Sequence, residues 1–199
     1  MSGLVNIFDL SLSCRDTFAQ CDVTGNLDTV SGMMYIYGLS VDGLGLEGTL
    51  DPIYDKYLLQ NLDLDGNSIS GPIGAAFGGL TGLVDIEMSN NQLNGSIPVE
   101  IGNLINATEL SISNNQLTGP IPEEIGNLTN LQILNLANNE FDSVPSTLSN
   151  LTNLTYLGLA RNKLEGEFPV DFNGWNNLQT IWMGDNTGMV VNIDAFADL

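Results

Sequence analysis

The residues of this chain best placed to do chemistry are carboxylates. Asp63 and Glu87 lie 24 residues apart, as do Asp85 and Glu109, and Asp65 stands beside the first pair. Carboxylates gathered on one face suit acid–base catalysis, coordination of a hard cation, or attraction of a basic partner. Catalysis is the weakest of the three. The chain has no histidine, the usual base near neutral pH and the centre of a serine-type triad. No G-x-x-x-x-G-K-[ST] loop is present, and the glycine-rich FGGLTG at 77–82 has no lysine after it. Carboxylates on an open face neither exclude water nor acquire a strongly raised pKa. The chain is therefore read as a non-enzyme without a cofactor. The one metal worth testing is calcium, which takes several carboxylate oxygens, with Asp63, Asp85, Glu87 and Glu109 as candidates.

Charge narrows the partners. Twenty-four acids face four bases, Arg15, Lys56, Arg161 and Lys163, for a net charge of −20. That field repels nucleic acid and anionic membrane surfaces and draws basic peptides or proteins. The scarcity of lysine throughout fits equally a chain whose acidity serves solubility in a saline habitat. No stretch approaches the ~20 apolar residues that a membrane span needs. Residues 4–12, LVNIFDLSL, contain Asp9 and follow no basic segment, so they are read as the start of a cap rather than a signal peptide. Cys14 and Cys21 suit a short-range disulfide, with two buried thiols as the alternative. Two cysteines without histidine do not make a zinc site.

The elements that position these residues come from an internal repeat. From Leu59 the chain stacks at a period of 24: residues 59–82, 83–106 and 107–130, then 131–153 one residue short, then 154–177, with LQTIWMGDN (178–186) opening another and IYGLSVDGLGLEGTL (36–50) a degenerate first unit. Such periods mark solenoids. Each L-x-x-L-x-L run predicts a short strand with alternate leucines inward. Asn67, Asn91, Asn115, Asn139, Asn162 and Asn186 share the slot after it, where a buried amide can satisfy backbone groups of neighbouring coils. Ile97, Ile121 and Phe168 refill the core after the turn. Pro98, Pro122, Pro145 and Pro169 stiffen the return. Ile101, Leu104, Ile125, Leu128, Leu148, Leu151, Phe172 and Trp175 line the convex side. The expected organisation is a cap over 1–35, about seven repeats of ~24 residues over 36–186, and a last coil or cap over 187–199.

The stretches NNQLNGSIPVEIGNL and NNQLTGPIPEEIGNL, with their Gly-x-Ile-Pro element, resemble the plant-type extracellular leucine-rich repeats of receptor-like kinase ectodomains and polygalacturonase-inhibiting proteins. The resemblance implies an α/β repeat solenoid: a right-handed superhelix with a concave parallel β-sheet, short convex strands and 3₁₀ or helical turns. CRDTFAQC (14–21) keeps the cysteine spacing of the family's cap without its Trp and Gly. It implies a Cys14–Cys21 disulfide and an extracellular or cell-surface location.

On that scaffold two columns face outward from the concave strands. One runs Ser40, Asp63, Glu87, Ser111, Asn135, Gly158 and Trp182; the other runs Gly38, Asn61, Asp85, Glu109, Ile133, Tyr156 and Thr180. Acids cluster at one end, and Tyr156, Arg161 and Trp182 at the other. The ligand-binding candidates are thus Asp63, Asp65, Asp85, Glu87, Glu109, Tyr156, Arg161 and Trp182. Tyrosine, tryptophan and arginine are the types enriched at binding hot spots, and aromatic rings also stack on sugars. The function expected is a recognition scaffold for a protein or peptide. The alternatives are a secreted inhibitor of a cell-wall glycanase and a glycan- or calcium-binding surface protein. No regular Thr-x-Thr array appears on any column, which argues against ice. Asn94, Asn106, Asn127, Asn150 and Asn153 begin N-x-[ST] sequons and are glycosylation candidates.

Overall fold

A computed structural model of the chain describes residues 9–11, 25–30, 35–168 and 174–191. Cys14, Cys21, Pro169, Phe172 and the terminal 192–199 lie outside the described residues. Alternating leucines build a parallel sheet of three-residue strands in the order Asp9–Ser11, Gly38–Ser40, Asn61–Asp63, Asp85–Glu87, Glu109–Ser111, Ile133–Asn135, Tyr156–Gly158 and Thr180–Trp182. The central residue of each repeat strand, from Leu39 through Leu62, Ile86, Leu110 and Leu134 to Leu157, is buried. Its two neighbours point to the other face, as period-two geometry requires. The segment 9–11 supplies the edge strand at one end of this sheet.

Three residues after each strand the chain reverses through a residue in the left-handed region. Gly66, Asn90, Asn114 and Asn138 hold that place, with φ of 68°, 57°, 53° and 53°. Glycine and asparagine tolerate this conformation best. Arg161 (φ 57°) and Asp185 (φ 57°) occupy the same place in the last two coils.

The next residue is the ladder asparagine. Asn91 shows the pattern: its Oδ1 accepts from the Ile69 N–H of the preceding coil at 3.0 Å, and its Nδ2 donates to Leu64 O at 2.9 Å and to Ser89 O at 3.1 Å. Asn115, Asn139, Asn162 and Asn186 repeat both halves, donating to the preceding coil's Met88, Ile112, Leu136 and Leu159 carbonyls at 3.0 Å each. One side chain thereby satisfies backbone groups in its own turn and in its neighbour, which a buried turn cannot leave unpaired.

A second parallel sheet follows on the return path, joining Glu47–Gly48, Ser68–Pro72, Gln92–Gly95, Gln116–Pro120 and Glu140–Ser143. It stops there, and Gly166–Glu167 pairs separately with Met189–Val190. The break falls in the unit that is one residue short. Its DSVP lacks the glycine that takes positive φ at Gly95 (75°) and Gly119 (76°), and the register slips between Phe141 and Ser143.

The convex side carries 3₁₀ turns at Ala75–Gly79, Val99–Asn103, Glu123–Asn127 and Ser146–Asn150. Extended prolines open the last three (ψ 149° at Pro98, 147° at Pro122, 149° at Pro145). Coils approach so closely here that a Cβ on Gly102 would lie 2.7 Å from the Cβ of Glu124. Leu80, Leu104, Leu128, Leu151 and Trp175 fill one buried convex slot, and Lys56 occupies its counterpart in the first full coil. That lysine is fully buried and ion-paired with exposed Asp55, so a residue that sequence alone counts only as charge serves as core. Among the described residues no helix is long and apolar enough to cross a membrane.

Because the ladder amide serves two coils at once, Asn91→Ala is expected to cost about 2–4 kcal/mol. Urea unfolding of the variant against wild type measures this; a loss below about 0.5 kcal/mol would show that the ladder is dispensable at this rung.

Candidate functional site

The concave columns are in register along the sheet. Asn61 pairs with Asp85, Asp85 with Glu109, Glu109 with Ile133, and Ile133 with Tyr156. In the second column Ser40 pairs with Asp63, Asp63 with Glu87, Glu87 with Ser111, and Gly158 with Trp182. Strand neighbours stand about 4.8 Å apart, so the acidic candidates form one continuous patch.

Within it, the calcium set expected from sequence does not converge as a whole. Asp63 and Glu87 gather with Asp65 instead, one carboxylate oxygen from each lying within 4.8 Å of the others. Asp85 and Glu109 stand in the neighbouring column, facing each other across paired strands. The cause is the turn: Asp65 follows Leu64 on the side where Asp63 and Glu87 already point, and the Ser89 N–H holds its carboxylate at 2.5 Å. Asp63 accepts the Asp65 N–H at 3.1 Å and the Ser40 hydroxyl at 3.0 Å. Asp85 accepts the Thr108 hydroxyl at 3.0 Å.

Glu109 is half-buried beside these acids. Partial burial pushes its pKa above the ordinary 4.5, and the charges of Asp85 and Asp65 add to the push. Burial disfavours the charged form, and like charges disfavour it further.

The other end of the face is apolar. Trp182 is 61% exposed. The Tyr156 ring lies over Gly158, where a Cβ would meet its hydroxyl at 3.1 Å. Gly158 thus lets the ring lie down along its own strand, beside the strand that carries Trp182. Among the described residues no ring pair joins the two aromatics. Arg161 stands on the rim, paired with Asp185 at 3.3 Å, both exposed.

A third concave column is visible only once the turns are placed. It runs Asp42, Asp65, Ser89, Ser113, Ala137, Ala160 and Gly184, so side chains shrink from acid to none along the solenoid. The volume lost opens a hollow of about 410 Å³ lined by Ala137, Ala160 and Gly184 together with Arg161, Trp182, Met183 and Asp185. The repeat alignment already contained this signal, one position beyond the strand.

The five sequon asparagines are all exposed. Two are engaged: Asn106 Nδ2 donates to Thr81 O at 2.9 Å and Asn153 Nδ2 to Thr129 O at 2.8 Å.

A leucine rich repeat family model matches residues 58–117 and 105–164, more than half of the chain. The ectodomain of the plant membrane receptor kinase GASSHO1/SCHENGEN3 from Arabidopsis thaliana, solved in complex with CASPARIAN STRIP INTEGRITY FACTOR 2, is similar with a TM-score of 0.78 and 29% identity over 88% of this chain and 24% of that one. The plant peptide hormone receptor RGFR1, solved in complex with RGF2, gives 0.71 and 29% over 88% of this chain and 32% of that one. A plant ice-binding protein gives 0.74 and 29% over 85% and 55%. The chain therefore spans about a quarter to a third of the two receptor ectodomains. No curated protein matched.

The raised pKa of Glu109 carries a stability consequence. Its folded value exceeds its unfolded value, so the folded state is penalised as pH rises through and above 4.5, and the penalty vanishes below it. Glu109→Gln should therefore melt about 1–3 °C above wild type at pH 7, with the difference closing toward pH 4. Paired thermal melts across that range test it; a constant difference at all pH values would contradict this account.

Proposed function

Because the chain belongs to the leucine-rich-repeat family, we propose that it is a non-catalytic extracellular recognition scaffold that holds a basic peptide or protein segment along its concave face. One observation carries this reading: the register that lines up Asp63, Asp85, Glu87 and Glu109 at one end of the face with Ile133, Tyr156 and Trp182 at the other. Like charges on neighbouring strands destabilise a sheet. A cationic segment laid across them relieves that cost, and the net charge of −20 speeds its encounter. Tyr156 and Trp182 supply anchor area beside the 410 Å³ hollow. The receptors similar to this chain were solved with CASPARIAN STRIP INTEGRITY FACTOR 2 and with RGF2, which supports a peptide ligand.

A second reading rests on the convergence of Asp63, Asp65 and Glu87. Three carboxylates are half of a calcium shell, with water completing it.

Titration with a panel of Arg/Lys-rich nonapeptides at two salt concentrations tests the first reading. The tightest binder should lose at least about tenfold, ~1.4 kcal/mol, with Asp85→Asn/Glu87→Gln and a comparable factor with Trp182→Ala. Equal affinity in the double variant removes the acidic face from recognition. For calcium, saturating ion should raise the melting temperature by several degrees, corresponding to ~2.7 kcal/mol at a hundredfold excess over Kd. That rise should disappear in Asp65→Asn, and a rise that survives the substitution would place the ion elsewhere.

A further inference from the structure

The flank where each convex turn runs into its concave strand is chemically unlike the rest of the molecule. Its outward residues run from Tyr57 and Gln60 through Thr129 and Asn130 to Asn177 and Gln179. None is charged, in a chain with 24 acids. The acids lie around it instead: on the concave face, on return strands at Glu140, Asp142 and Glu167, and on the convex turns at Glu100, Glu123 and Glu124.

This strip is also held in place. Asn106, Asn130, Asn153 and Asn177 each donate through Nδ2 to a carbonyl of the preceding coil, at 2.9, 2.9, 2.8 and 3.4 Å, forming an exposed second ladder. Each amide keeps its carbonyl oxygen and one N–H for a ligand. The Thr155 hydroxyl is fixed in the same way on Gln132 O at 3.0 Å. At the end of the strip lies a hollow of about 440 Å³ lined by Gln132, Asn153, Thr155, Asn176, Asn177, Leu178 and Gln179. Five amides, one hydroxyl and one half-buried leucine make up its wall.

We propose that this flank binds a neutral polysaccharide, with one or two sugar units seated in the 440 Å³ hollow. Amides present a donor and an acceptor side by side, which matches vicinal sugar hydroxyls, and Leu178 offers apolar contact to the C–H face of a ring. A repeat spacing of about 4.8 Å lets successive coils meet successive parts of an extended chain. An acidic glycan is disfavoured, since the wall holds no cation and the chain carries −20. The site is separate from the concave face and stands or falls independently of the peptide reading.

The test uses the full chain produced in a host that does not glycosylate Asn153. Affinity electrophoresis in gels containing hydroxyethyl cellulose, laminarin or galactomannan measures retention, with polygalacturonate as the charged control. At least one neutral polymer should retard the protein. Asn176→Asp/Gln179→Glu should weaken that retention at least about tenfold, because it removes both amide N–H donors that face the sugar while keeping side-chain size. Both side chains are exposed, and an unchanged melting temperature confirms that the fold is intact. Trp182→Ala, on the other face, should have no effect. Retention by none of the three neutral polymers overturns the proposal, as does stronger retention by polygalacturonate, or loss of binding in Trp182→Ala alone. Ice crystals shaped by wild type and not by the double variant, without glycan retention, would also overturn it and assign the strip to an ice lattice.

Discussion

The structure depends on one hydrogen-bonding constraint: a turn that is buried between coils has no water to satisfy its backbone. Asn67 meets the need at the start of the stack, accepting from Leu46 N–H at 2.9 Å and donating to Val41 O at 2.8 Å, and Asn186 meets it at the end by donating to Leu159 O at 3.0 Å. Each amide reaches the coil before it, so the bonds are shared between neighbours and the stack coheres as a unit. A leucine in that slot would fill the volume and leave several carbonyls and an N–H unpaired, a cost of the full desolvation of each. The same logic fixes the residue just before. Left-handed backbone there aims the asparagine inward, which is why Gly66, Asn90, Asn114 and Asn138 precede the ladder.

The ladder and the buried leucines take the inward positions and leave the outward ones free to vary. Volume drains from the third concave column between Asp65 and Gly184, and the hollow beside Trp182 follows from that drift rather than from any loop or insertion. Arg161 departs from the turn rule. An arginine in left-handed backbone costs on the order of 1 kcal/mol, and its exposed pair with Asp185 returns little of that.

How far these features were legible in sequence follows their periodicity. The strands, the ladder and both outward columns recur every 24 residues or close to it, so an alignment of the repeats finds them. The Asp63–Asp65–Glu87 convergence depends on how the turn after Leu64 bends and on the Ser89 N–H that draws Asp65 inward. Both recur along the stack, as when the Ser113 N–H bonds the Ser89 hydroxyl oxygen at 3.2 Å, but an alignment gives positions and not how far a carboxylate swings inward. The placement of Lys56 in a leucine slot was available from alignment, but charge alone says nothing of a buried ammonium paired with Asp55. The end of the second sheet at Glu140–Ser143 is a deletion effect, readable as a missing glycine only after Gly95 and Gly119 are seen at positive φ.

The acids are sorted between surfaces, and that sorting is informative about partners. Solubility accounts for acids that also lie on the convex turns and return strands, at Glu100, Glu123, Glu124, Glu140 and Glu167. On the concave face Asp63, Asp65, Asp85, Glu87 and Glu109 crowd neighbouring strands, and the charges of Asp85 and Asp65 add to the burial that raises the pKa of Glu109. Meanwhile the flank that carries Thr129, Asn130, Asn153 and Gln179 stays neutral across successive coils. Moving one acid from the concave face to that flank would lower the repulsion without altering the net charge. The two faces thus differ in chemistry: one gathers carboxylates on neighbouring strands, and the other presents uncharged amides and hydroxyls.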